Sequence, residues 1–216
     1  MKKLNFIIKY GLALLLLSFY SCESWLNVTP SDRLSEEMLF NDREGFVKAL
    51  NGVYIELNTN ELYGRNLTAG ALDVMGQYYS VASSSHAFYN YGGLVYTGND
   101  EKALFDNMWQ KCYAVIACCN TIIEKCDENK AGLSPVWKGS IKGEALALRA
   151  MLHFDMLRLF QPPYLTEEGK TQKRIPYKTD FGMEFTPSSS SDEILGYLIG
   201  DLERAEKLLK DTDPIS

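Results

Sequence analysis

Gly139-Ser140-Ile141-Lys142-Gly143-Glu144-Ala145-Leu146-Ala147-Leu148-Arg149-Ala150-Met151-Leu152-His153-Phe154-Asp155-Met156-Leu157-Arg158-Leu159-Phe160 decides the fold, because at helical spacing it carries two apolar faces. Ile141, Ala145, Leu148, Leu152, Met156 and Leu159 fall on one side; Leu146, Ala147, Ala150, Phe154 and Leu157 fall roughly opposite. A surface helix buries one face only, so this helix is expected between two layers of other helices. Thin polar seams separate the faces, with Glu144, Asp155 and Arg158 along one and Lys142, Arg149 and His153 along the other. Gly139 and Gly143, near its start, would let another backbone approach closely.

Outward from this stretch, Ser134-Pro135 predicts its start and Pro162-Pro163 its stop. Upstream, Asn99 or Asp100 is expected to cap a long helix with the stripe Phe105, Trp109, Cys112, Ile116, Cys119, Ile123 and Cys126. Earlier still, Asn41 or Asp42 opens a helix that buries Phe46, Ala49, Leu50, Val53, Tyr54 and Leu57. Ser35 is expected to cap a short turn before it, and a short helix is expected within Leu67 to Met75. Downstream, Ser191 is expected to cap a last helix burying Ile194, Leu195, Leu198, Leu202, Leu208 and Leu209. The polar segment between Tyr164 and Pro187 reads as a long surface excursion. Helices arriving in pairs suggest a solenoid, and Ala150-x-x-x-Phe154 with Pro162 downstream is a fragment of the tetratricopeptide pattern. No 34-residue period recurs. The expected fold is therefore all-α: a tetratricopeptide-like stack of irregular units with long loops.

Composition narrows the function. The 216 residues are 46% hydrophobic, enough for one sizeable core. The net charge of -6 becomes more negative once Lys2, Lys3 and Lys9 are set aside, which argues against nucleic acid and offers no basic patch for anionic lipid. Those lysines flank or precede the apolar run from Gly11 to Phe19, forming a secretory leader too short to span a bilayer. Phe19-Tyr20-Ser21-Cys22 looks like a lipobox, so residues 1–21 are expected to be removed and Cys22 acylated, a stable membrane attachment. Cys112, Cys119 and Cys126 lie about 10.5 Å apart along a helix, too far for disulfides, and Cys118 points away from Cys119. Free thiols packing as small hydrophobes are expected.

No catalytic constellation stands out: the histidines are His86 and His153, and no nucleophile elbow, phosphate loop or zinc motif occurs. Glu144 and Asp155 sit roughly 16 Å apart on one helix, beyond glycosidase separations. Glu144 and Arg149 are better read as structural, pinning neighbouring helices. Neither a cofactor nor a metal site is expected. Tyr78 to Gly98 lacks helical periodicity but holds Tyr78, Tyr79, Phe88, Tyr89, Tyr91 and Tyr96. Two readings stay open. Exposed Tyr78, Tyr79, Tyr89 and Tyr91, with Asp73 and Asn99, would suit the C–H faces and hydroxyls of a glycan. The same tyrosines could instead form a hairpin packed on the helices.

The run Gly143-Glu144-Ala145 through Leu148-Arg149-Ala150 to Phe154, Leu157 and Phe160, followed by Pro163-Tyr164, resembles the signature of the SusD/RagB family. Cys22-Glu23-Ser24-Trp25-Leu26-Asn27-Val28-Thr29-Pro30 is similar to the start of its mature members. Arg174-Ile175-Pro176-Tyr177 followed by Asp201-Leu202-Glu203-Arg204-Ala205 also fits. The resemblance implies a tetratricopeptide-like lipoprotein, held at the outer membrane of Bacteroidetes by its lipid. Such a protein captures nutrients, mostly oligosaccharides, for a SusC-like TonB-dependent transporter. It implies no enzymatic activity. The alternative is a peptide-capturing or purely transporter-docking scaffold of the same fold. The likeness runs from Cys22 to the end but matches only the family's N-terminal half, so 22–216 is expected to be a helical domain truncated before the C-terminal ligand-binding region. In the family this region often contacts ligand through tryptophan, yet none lies between Trp25 and Trp109.

Overall fold

A computed structural model describes residues 36–182 and 184–209; the leader, Cys22 and the Ser35 cap lie outside them. α1 (Glu36–Leu39) turns sharply into α2 (Arg43–Leu57), where Asp42 caps by accepting the Gly45 N–H at 2.8 Å. A Cβ on Gly45 would stand 1.5 Å from the Leu39 carbonyl oxygen, so the corner requires glycine. Phe46, Leu50, Val53 and Leu57 are buried, as their spacing predicts, while Tyr54 reaches the rim.

Residues 58–98 hold two short helices, α3 (Ala71–Met75) and α4 (Tyr89–Gly92). α5 (Asn99–Glu128) follows, but its N-cap is Gly98; Asn99 and Asp100 lie inside the first turn, with no side-chain cap. Asp100 and Glu101 complement the positive end of the helix dipole there. Cys112, Ile116, Cys119 and Cys126 are buried as expected, joined by Met108, Val115 and Ile122, whereas Cys118 is exposed.

α6 (Pro135–Phe160) starts where the sequence places it, with Ser134 accepting the Trp137 N–H at 3.4 Å. It packs against α5 on one side, α8 (Ser191–Leu208) on the other, and touches α2. Ile141, Ala145, Leu148, Leu152 and Met156 are buried on the first face. The second face is buried at Leu146 and Ala150 but opens at Phe154, which is 45% exposed. The two glycines act as expected: a Cβ on Gly139 would lie 3.2 Å from the Leu208 carbonyl oxygen, and one on Gly143 3.3 Å from that of Ala205. These contacts at the start of α6 meet the end of α8, so the two helices run antiparallel.

The last third departs from expectation in detail. α8 is capped by Ser190, one residue early, in a reciprocal capping box with Glu193; the Ser191 hydroxyl instead donates to the Gly169 carbonyl at 2.6 Å. Its buried stripe is Ile194, Leu198, Asp201 and Ala205, leaving Leu202 and Leu209 exposed. The 164–187 segment is exposed for most of its length, as expected, but it is tied down where Gly169, Ile175 and Tyr177 are buried. After α7 (Glu167–Thr171), β1 (Ile175–Pro176) pairs antiparallel with β2 (Ser188–Ser189), and Ile175 and Tyr177 are buried under this strap. One core joins α2, α5, α6, β1 and α8; a smaller one gathers Ala71, Val74, Phe88 and Tyr91 against Leu104 and Phe105 of α5. No helix among the described residues is long and apolar enough to cross a membrane.

Candidate functional site

The smaller core carries the candidate site. Buried Val74, Phe88 and Tyr91 anchor α3 and α4 side by side on α5. The chain leaves α3 through Gln77, whose φ of 59° is left-handed backbone that a non-glycine residue adopts only when held there. Its Nε2 supplies the hold, donating to the carbonyls of Gly92 at 2.9 Å and Val74 at 3.2 Å. This turn lifts Tyr78 out of the protein, 83% exposed, with its ring over Gly76, where a Cβ would lie 3.0 Å from the ring. Tyr79 donates its hydroxyl to the carbonyls of Ala69 and Gly70, which fixes its ring. Tyr89, on α4, is 42% exposed.

Tyr79 and Tyr89 line a hollow of about 360 Å³, together with Gln77, Val81, Asn90 and Val95. That volume is at the lower end of ligand clefts. Asn90 Nδ2 donates to Glu101 Oε1 at 2.7 Å, which orients the amide. Its Oδ1 has no protein donor among the described residues. Exposed ring faces beside fixed amides and carbonyls can pack an apolar face while exchanging hydrogen bonds with its edge.

The expected residues divide. Tyr79 and Tyr89 come together on this ledge, while Tyr78 does not line the hollow and stands exposed over Gly76. Tyr91 is 2% exposed, a core side chain that cannot stack on a ligand, and it is corrected from contact to anchor. Asp73 and Asn99 are not among the residues that line the hollow. The hairpin reading also fails, since the segment holds turns and α4 and no strand. Gln77, Asn90, Val81 and Val95 were missed. Gly76 preceding Gln77 gave a turn signal, but nothing in a single sequence shows which amide closes the turn.

The polar seams form a second constellation of hydrogen bonds that joins helices and strap. Arg149 makes two bonds to Asp201, at 2.7 and 2.8 Å, and a third to Asn120 Oδ1 at 2.8 Å. Burial pushes the Asp201 carboxyl up, but hydrogen bonds from Arg149 and Tyr177 outweigh it and hold the group below its ordinary value. Asn120 Nδ2 donates to the carbonyls of Lys178 and Asp180, and the Tyr177 hydroxyl reaches Asp201 at 2.6 Å, tying the strap to α5 and α8. His153 Nε2 accepts the Lys178 N–H at 3.0 Å, so Nδ1 carries the proton and donates to the Arg149 carbonyl at 2.9 Å. Desolvation lowers its pKa to about 4. Along the other seam, Glu144 Oε2 accepts the Tyr54 hydroxyl at 2.8 Å and Asp155 accepts that of Tyr63. Arg149 thus links α6 to α5 and α8, and Glu144 links α6 to α2.

Residues 24–214 match the SusD-like family described as starch-binding, associating with outer membrane. The chain belongs to this SusD-like family. SusD-like protein P2 of Formosa agariphila is 25% identical over 97% of the chain, and protein P38 of the same organism 26% over 88%. Among solved structures, a SusD-like carbohydrate binding protein from Bacteroides vulgatus superposes with a TM-score of 0.65 at 24% identity, covering 80% of this chain and 37% of that one. A SusD superfamily protein from Bacteroides thetaiotaomicron gives 0.60 at 21%, covering 78% and 38%. These likenesses support the all-α, tetratricopeptide-like fold. The SusD-like chain spans 38% of the length of P2 and 34% of P38.

Proposed function

We propose that this chain is the helical part of a surface lipoprotein that captures oligosaccharides without chemical turnover and hands them to a SusC-like TonB-dependent transporter. Acylation of Cys22 after removal of residues 1–21 would hold it at the outer membrane. The observation that carries the reading is the ledge of Tyr79 and Tyr89 lining its hollow, with Tyr78 exposed at the turn that leads into it. Large tyrosine rings exposed on a rigid support are costly to leave in water and well shaped for the C–H faces of sugar rings. Family membership and the sugar-binding names of its relatives point the same way. Isothermal titration of the chain from Glu23 against starch-derived and other oligosaccharides tests it. Binding is expected and should fall at least tenfold in the Tyr78→Ala/Tyr89→Ala double variant; flat heats across the panel would reject it.

A further inference from the structure

The hollow beside Tyr79 and Tyr89 has a polarity of its own. Its polar side chains other than the two tyrosines are Gln77, Ser80 and Asn90, and no lysine or arginine stands among the described residues that line it. Gln77 Nε2 commits both of its N–H groups to backbone carbonyls, those of Val74 and Gly92, and Asn90 Nδ2 commits one to Glu101 Oε1. The oxygens of both amides are left to accept, so the site suits a ligand that donates.

Glu101 stands behind Asn90. The residue is only 6% exposed, and hydrogen bonds from Asn90 and from its own backbone N–H hold its carboxyl below the ordinary value, so it is charged at neutral pH. It folds back over the start of α5: a Cβ on Gly98 would stand 2.0 Å from its Oε2. The positive end of that long helix is therefore answered by a carboxylate of the chain itself. Asp100 places a second negative charge in the same turn. The cations nearby do not offset them in the hollow. Lys102 is exposed outside the lining, and Arg65 lies over the Phe88 ring with its Nε on Asn66 Oδ1.

We propose that Glu101, acting through Asn90, sets which glycans this site accepts. It holds the Asn90 amide with its oxygen available to ligand hydroxyls, and its charge repels carboxylate and sulfate groups, so uncharged oligosaccharides enter in preference to uronate or sulfated ones. Glu101 is a positioning residue and touches no ligand. The inference rests on the proposed capture of glycans and adds a charge rule to it.

Amide shift titrations of the chain from Glu23 with matched pairs test it: maltooligosaccharides with and without sulfate, and oligogalacturonate as free acid and as methyl ester. The uncharged member of a pair should bind roughly fivefold tighter at about 0.01 M salt, where the screening length is about 30 Å, and the gap should close at about 1 M, where it is about 3 Å. Glu101→Gln, which still accepts from Asn90, should narrow the gap at low salt to about twofold or less. A purely steric preference would respond to neither change. An anionic member that binds as tightly as its partner, or a gap indifferent to salt or to Glu101→Gln, would overturn the charge rule and leave glycan capture standing. No binding by any member of either pair would overturn both.

Discussion

At the residue scale, His153 ties the protein's stability to pH. It is neutral because burial lowers its pKa to about 4, against 6.5 in an unfolded chain, and the strap depends on its Nε2 as an acceptor. The unfolded chain therefore binds the proton more readily. The contribution is fully present above pH 6.5 and is lost as pH falls from there towards 4, up to about 3 kcal/mol for such a shift. Urea unfolding at pH 7 and pH 4.5 should show this loss, and His153→Gln, which keeps one donor and one acceptor, should remove most of it. Equal pH dependence in both proteins would contradict the role. Sequence reading placed Arg149 and His153 in a common seam but missed Asp201 and Asn120, because each sits within an otherwise apolar stripe. A carboxylate at a buried helical position needs a cation, and Arg149 was the unpartnered candidate.

At the element scale, hydrophobic spacing was sufficient for α2, α5 and α6, since long amphipathic helices repeat the same signal several times. In the last helix Ile194 and Leu198 face inward as their spacing predicts and Leu195 is half-buried, but Leu202 and Leu209 are exposed, because leucines outnumber the positions that face inward. In the largely exposed strap only the burial of Ile175 and Tyr177 is not legible, because they are isolated apolar residues in a polar stretch and tertiary contacts bury them. The α5 register is open to test through its thiols. Burial pushes Cys112, Cys119 and Cys126 up to about 12, leaving almost no thiolate at neutral pH. In the chain from Glu23, iodoacetamide at pH 8 should modify Cys118 alone within an hour and the other three only in denaturant. Rapid labelling of any of the three would show that the stripe is not packed as described.

At the scale of the whole molecule, the ledge is built on α3 and α4 over the smaller core, apart from the main core of α2, α5, α6, β1 and α8. The sequence made the aromatic cluster visible but not its division into anchor and contact, since Tyr91 and Tyr89 differ only in which side of α4 they occupy. The proposed membrane attachment depends on Cys22 alone. Expression in a Bacteroidetes host with labelled palmitate should tag the intact protein and shift it to the membrane fraction, and Cys22→Ala should abolish both; label retained by that variant would remove the anchor from the account. The central claim, capture of oligosaccharide on the Tyr78–Val95 ledge, is tested most directly by amide shift mapping of the labelled chain during titration with maltooligosaccharides, a method that registers even millimolar binding. The account predicts shifts concentrated between Gly76 and Val95, with α8 silent; no shifts, or shifts centred on another surface, would contradict it.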